Sequence, residues 1–444
     1  MRCHHKISNI KILAVFILTL ILVLSLTGCS ETKSVEEMRS SGDVEGLIKK
    51  LNSSDSDTTA RAAEALGEIR DERAIKPLIY TLKNAEDSNV KQKAAEAVAK
   101  TGNANVALPP LIDALKHDDW TVRYRAAQAI GTLGDPRATP ALIRLLDDPV
   151  KDVRKNAAWA LGEVGDQRGV EPLIRTVKND ESSDVRGEAK QAVIKLGTKS
   201  VNPLIQTLED EDAETRYFAA KALGDIGSAR GTPRELRQKI AIPLISSFKD
   251  NNADVRLMAA ESLDSMGYTP RNETERAWYL VAKREWNDVS YLGGLAIDPL
   301  INALKGTDSR TKWGATKALV RIGPSAVEPL IQALSDEDAR VQAAVALEII
   351  GTSEAKGAVN EFVEEYQADL KYIADNHKEI IENEDIEGHE FLLVLALERY
   401  GDNEMVNTYL QTENSVLQDA AGYWAERHHR NVISGGDGNT STWP

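Results

Sequence analysis

Aromatic rings and guanidiniums carry the clearest recognition chemistry in this chain. Trp159 stands where the equivalent positions are usually polar: Glu64, Glu96, Gln128, Gln191, Lys221, Glu261 and Lys317. Trp120 directly follows Asp119, and Tyr124 belongs to a neighbouring column with Tyr217 and Trp313. Trp, Tyr and Arg are enriched at binding hot spots, so Trp120, Tyr124, Arg144, Trp159 and Arg175 form a candidate partner-binding set. The alternative is that the rings cover gaps between helices. Catalytic chemistry is not visible: there is no Gly-rich phosphate loop, Ser-His-Asp set or Cys-His pair. The 69 Asp and Glu read as a solvated surface. No catalytic residue, metal ligand or cofactor is expected.

The elements that must position these side chains follow from one column of alanines. Ala62, Ala94, Ala126, Ala157, Ala189, Ala219, Ala259, Ala315 and Ala343 are spaced by 32, 32, 31, 32, 30, 40, 56 and 28 residues. Eight residues after each stands Gly102, Gly134, Gly165, Gly197, Gly227, Gly267, Gly323 or Gly351, with Arg70 alone in the first repeat. In Asp119 to Gly134, Asp119 is placed to cap a helix, while Val122, Ala126, Ala129, Ile130 and Leu133 form one apolar stripe. Gly134 suits a left-handed helix stop. A second helix starts near a proline and carries a Leu-Ile pair, as in Leu142-Ile143 and Leu173-Ile174. A two-helix unit repeating near 32 residues cannot bury its apolar face alone, so neighbouring units must stack. The predicted fold is an all-α solenoid of about nine such repeats with capping helices.

The pattern V-R-x-x-A-A-x-A-L-G-x-[IL]-G-D followed by P-L-I-x-x-L resembles the HEAT-like repeats named after phycobilisome lyases, over roughly residues 43 to 351. That resemblance implies a scaffold used for chromophore attachment, for iron-dependent hydroxylation and most often for protein binding. The hydroxylases of this kind bind two irons through several His-Glu pairs, whereas this chain has one, His389-Glu390, outside the repeat register. His428-His429 falls at a fraying helix end. Lys91, Arg123, Arg154, Arg186, Arg216, Arg256, Lys312 and Arg340 share one first-helix position. Such a ladder is either an anionic ligand groove or, as expected here, pairs between repeats with aspartates at helix starts and turns such as Asp135 and Asp166.

Arg2, Lys6 and Lys11 precede an apolar run from Ile12 to Leu26, which reads as a secretory signal. It ends in Leu26-Thr27-Gly28-Cys29, which resembles the lipobox of prokaryotic lipoproteins and implies acylation of Cys29. The alternative is a plain N-terminal membrane anchor. Cys3 and Cys29 are the only cysteines, so a mature chain would hold no disulfide. The net charge of -15 makes it a poor nucleic-acid binder.

The expected organisation is a signal peptide over 1–28, a tether over 29–42 and a solenoid over 43–351. Insertions fall at 228–239, rich in arginine, and at 268–294, where Trp278, Tyr279, Trp286 and Tyr291 cluster. A helical cap region over 352–430 and a disordered tail over 431–444 follow. The expected function is a non-catalytic, lipid-anchored extracytoplasmic scaffold or assembly factor in the cell envelope, binding a protein or peptide and no nucleic acid. The alternatives are a lyase- or hydroxylase-related enzyme on the same fold and a surface structural or adhesion protein. Oligomeric state is not legible.

Overall fold

The computed structural model describes residues 33–383, 386 and 389–428. The leader, Cys29, His429 and the C-terminal tail lie outside the described residues. The chain divides into two units, 1–196 and 197–444.

The first unit runs α1 (Val35–Ser41), α2 (Val44–Lys50), α3 (Ser56–Ile69), α4 (Ile75–Asn84), α5 (Ser88–Thr101) and α6 (Ala104–Ala114). It continues with α7 (Trp120–Leu133), α8 (Thr139–Leu145), α9 (Lys151–Val164), α10 (Val170–Asn179) and α11 (Ser183–Lys195). First helices begin where Asp55, Asp87 and Asp119 accept backbone amides, which satisfies donors that a helix start leaves open. They stop at Gly102, Gly134 and Gly165, all with positive φ. Arg70 takes the same left-handed conformation at φ 60°, where a side chain is disfavoured.

Stacking depends on the column alanines, every one of them fully buried. The closest approach lies five residues further on, at a glycine. A Cβ added to Gly67 would come 2.7 Å from the Ala97 Cα, one at Gly131 3.0 Å from the Ala160 Cα, and one at Gly162 3.1 Å from the Ala192 Cα. Second helices insert the leucine of each Leu-Ile pair into the core, with Leu111, Leu142 and Leu173 at 0 % exposure, and leave Ile112, Ile143 and Ile174 half-buried. Burial of each such leucine contributes roughly 1.5–3 kcal/mol.

The second unit runs α12 (Val201–Thr207), α13 (Ala213–Ser228), α14 (Arg234–Ser246), α15 (Ala253–Ser265), α16 (Glu273–Ala282), α17 (Trp286–Ser290), α18 (Gly294–Leu304) and α19 (Ser309–Ile322). Then follow α20 (Val327–Ala333), α21 (Arg340–Ile350), α22 (Ser353–Asn383), α23 (Glu390–Tyr400), α24 (Asn403–Leu410) and α25 (Ser415–Arg427). Here Gly227 does not end its helix. Its bare Cα instead seats Met266, whose sulfur would stand 2.1 Å from an added Cβ. The 228–239 insertion lengthens the second helix, so Pro243 lies inside α14. The 268–294 insertion becomes α16 and α17, with Ala277, Val281 and Val289 in the core. Of its four rings, Tyr279 packs edge-on against Phe248, Trp286 lies against Gly314, Trp278 sits beneath the Lys249 ammonium, and Tyr291 is exposed.

Beyond Gly351 the helices return to the repeats. Trp313 Nε1 on α19 donates to Asp419 Oδ2 on α25 at 2.6 Å, and Arg310 Nε donates to the Ser415 hydroxyl at 2.9 Å. Trp313 is consequently buried between the Phe391 and Tyr423 rings. Its membership in the aromatic column therefore reports core packing.

A candidate partner-binding groove on the first helices

Trp120 opens α7, and Tyr124 and Gln128 follow at four-residue intervals, so all three project along one face of that helix. On α9, Asp152, Lys155, Asn156 and Trp159 recur at intervals of three and four residues, which also share one helix face. These two stripes, with Ser88 on α5 and Glu188 on α11, line an open groove of about 650 Å³. Trp120 is 42 % exposed, and Tyr124 and Trp159 are half-buried.

The rings are held by different means. An added Cβ on Gly131 would stand 2.6 Å from Trp159 Cζ3, so the indole occupies the space that a side chain on α7 would fill. The Arg125 guanidinium lies 5.2 Å from the centre of the Tyr124 ring and donates to Gln128 Oε1 at 3.0 Å. Asn156 Nδ2 donates to the Tyr124 carbonyl at 2.6 Å and ties the two helices together. The groove thus offers aromatic faces beside polar groups of both signs.

Arg144 on α8 and Arg175 on α10 are exposed but do not line this groove. The structure brings Trp120, Tyr124 and Trp159 together and leaves the two arginines on second helices apart from them. Sequence reasoning missed Arg125, Gln128, Lys155 and Asn156. For Gln128 and Lys155, four residues from Tyr124 and Trp159, and for Asn156, three from Trp159, the signal was available in helical spacing; Arg125, beside Tyr124, carried no such signal.

The basic ladder is largely internal. Arg123 Nε and Nη2 donate to both oxygens of Asp148 at 2.7 and 2.9 Å, and Arg154 does the same to Asp180 at 2.8 and 3.0 Å. Lys91 pairs with Asp119. The pairing is between repeats, as expected, but its aspartates differ from those named above. Asp135 and Asp166 instead cap the short turns before α8 and α10 and bind Arg137 and Arg168 of their own turns. Burial opposes ionisation of Asp119, yet the Lys91 ammonium with the Thr121 hydroxyl and amide outweighs it and holds the carboxyl at about 2.

The second unit has a counterpart at the same register. Tyr217, Leu257 and Met258 line a groove of about 390 Å³ with Glu214, Asp254 and Glu261. His389 and Glu390 lie at the start of α23, where Glu390 is buried with Oε2 unpartnered. Among the described residues no three His, Cys, Asp or Glu side chains are placed to hold a metal ion. Among them, too, no helix is long and apolar enough to cross a membrane.

No curated protein matches the chain. Among solved structures, an engineered protein is 24 % identical with a TM-score of 0.30, covering 86 % of this chain and 98 % of its own. The complex of CpcE and CpcF of phycocyanin lyase from Nostoc sp. PCC7120 is 27 % identical with a TM-score of 0.31, covering 53 % of this chain and 93 % of its own. The sequence profile of HEAT repeats matches residues 44–118, 108–194, 201–277 and 297–371. Repeats of this kind are in general protein-interaction scaffolds. That profile spans more than half of the residues, and the chain belongs to the HEAT-repeat family.

Proposed function

We propose that this chain is a non-catalytic assembly scaffold, held on the outer face of a membrane by a lipid on Cys29, whose first-helix groove takes a peptide segment of a partner protein. The observation that carries the binding reading is the alignment of Trp120, Tyr124 and Trp159 in one open groove across two adjacent repeats. An open groove with aromatic faces and charges of both signs suits an extended chain of mixed polarity. A small substrate would call for an enclosed, mainly apolar site. The anchoring reading rests on the basic and apolar leader ending in Leu26-Thr27-Gly28-Cys29.

One experiment addresses both parts. The tethered protein is crosslinked in its native membrane, the captured partner is identified, and binding is remeasured with Trp120→Ala plus Trp159→Ala and, separately, with Cys29→Ser. The double variant should remain folded and lose the partner. Cys29→Ser should lose lipid labelling while keeping affinity in solution. Undiminished binding by a folded double variant would refute the groove, and persistent labelling of Cys29→Ser would refute the anchor.

A further inference from the structure

In several repeats the ladder arginine is held twice over. Arg123 and Arg216 each turn Nη1 back onto two carbonyls of the turn preceding their own helix, at 2.8–2.9 Å, and Arg154 turns it onto the Asp148 carbonyl at 3.0 Å. Each then presents its Nε–Nη2 edge to one aspartate in the following turn. For Arg216 that aspartate is Asp250, at 2.7 and 2.9 Å. The arrangement is a planar fork meeting both oxygens of a carboxylate.

Arg256 on α15 reproduces only the first half. Its Nη1 donates to the carbonyls of Asp250 and Asn251 at 2.7 and 3.2 Å, so the guanidinium is aimed as in the other repeats. The aspartate is missing. Phe248-Lys249-Asp250 precedes the cap of α15, and Leu304-Lys305-Gly306 stands at the same distance from the cap of α19. Nε and Nη2, the two atoms that bind the carboxylate elsewhere, have no hydrogen-bond partner. The side chain is 1 % exposed, and burial pushes its pKa down to about 10 against the attraction of Asp250. A buried cation with two unsatisfied donors is strongly disfavoured unless an anion completes it.

A second guanidinium stands nearby. Arg284 follows α16 with a left-handed backbone, φ 60°, and its charge adds to the depression of Arg256. Its Nη2 donates to Asp254 Oδ1 at 2.8 Å, while its Nε is buried without a partner. Asp254 is 70 % exposed and Asp308 Oδ2 lies at 4.0 Å from the same Nη2, so each pair is weak and Arg284 is held mainly by solvent-screened contacts.

We propose that the place beside Gly306 is a binding site for a small free carboxylate of acetate size, whose oxygens take the positions of the missing aspartate on the Nε–Nη2 edge of Arg256. Replacing aspartate by glycine removes a CH2–COO− group, and acetate restores that group as a separate molecule. Arg284 leaves Asp254 to admit the ligand and then donates to it through its unpartnered edge. Arg256 and Arg284 each keep an unpartnered edge for the ligand, alongside the Asp250, Asp254 and Asp308 carboxylates that already act on Arg256.

The test uses the full-length chain labelled with 15N-arginine and titrated with sodium acetate at an ionic strength held constant by sodium chloride. The Arg256 Nε–H signal, identified by its loss in Arg256→Lys, should move saturably with acetate and remain still in chloride alone. Gly306→Asp supplies the carboxylate covalently, on a Cβ that the Asn251 carbonyl must shift to admit, so once folded it should abolish the acetate response and displace the signal in the same direction without ligand. Gly306→Ala adds only the Cβ, 2.9 Å from the Asn251 carbonyl. That methyl competes with the acetate methyl, so acetate should weaken about tenfold while formate is retained. Should Arg256→Lys not fold, the signal can be identified by its displacement in Gly306→Asp. Absence of any saturable shift would overturn the proposal. So would an equal response in wild type and Gly306→Asp, the mark of an adventitious ion only, and so would preference for sulfate over acetate.

Discussion

Of two matched register positions, one keeps its tyrosine in both units and the other changes from Trp159 to Glu261. On α7 and α9 they carry Tyr124 and Trp159 in a groove of mixed charge, and the arginines beneath are closed by Asp148 and Asp180. On α13 and α15 they carry Tyr217 and Glu261 in an acidic groove, and the Arg256 Nε and Nη2 have no carboxylate partner. Both regions keep the buried Ala and Leu positions that stack the repeats. Positions that stacking does not need are therefore free to set the chemistry of the surface. The arginine fork is the intermediate case, because its orientation comes from its own repeat and its partner from the next.

The largest expected effect concerns the closed fork. Asp180→Ala strands the buried Arg154 guanidinium and should cost about 3–5 kcal/mol in denaturant unfolding, most of it recovered when Arg154→Met is added. Arg256→Met removes a buried, incompletely paired cation and should leave stability unchanged or raise it by up to about 1–4 kcal/mol in carboxylate-free buffer. Equal costs for Asp180→Ala and Arg256→Met would mean that the two forks do not differ as described. The grooves come next. Trp159→Ala should weaken the captured partner by about 1–2 kcal/mol, whereas Glu261→Ala should leave its affinity unchanged. Thermal unfolding of the same variants separates lost contact from lost packing on Gly131.

A smaller effect tests the helix stops. Arg70 takes at φ 60° the conformation that glycine adopts at Gly102 and Gly134, so Arg70→Gly should raise stability by roughly 1 kcal/mol or less. The smallest effect is a pH dependence in the first unit. Asp119 titrates at about 2 when folded, below its unfolded value near 3.9, so its contribution is complete above about pH 4 and is lost as pH falls towards 2. Stability of Asp119→Asn should therefore fall less over that interval. The difference should stay under about 1 kcal/mol, because the Asp119 side chain is about a third exposed.

Much of the architecture was legible because each repeat restates it. Asp119 as a cap and Gly134 as a left-handed stop are local decisions, governed by backbone sterics and unsatisfied amides. Gly131 stands where the repeat pattern itself carries glycine, as at Gly67, Gly162 and Gly224, and only the structure shows that it seats Trp159. The ladder was read correctly as pairs between repeats but with Asp135 and Asp166 as partners, since position in the chain does not tell which turn lies against the fork. Trp313 shared its column with Tyr124, and nothing near it in sequence announces Asp419 or Tyr423.

By itself, then, the sequence determined the helical register, the starts and stops of most helices and the residues that stack them, because these follow from periods and caps within some 30 residues. It also located the aromatic departures at Trp120, Tyr124 and Trp159. Tertiary structure alone decided that those three share a groove while Arg144 and Arg175 lie elsewhere, that Trp313 is covered by α25, and that Gly306 leaves the Arg256 fork open. Each of these depends on which faces meet across repeats or insertions, and a contact between residues far apart in the chain leaves no periodic trace.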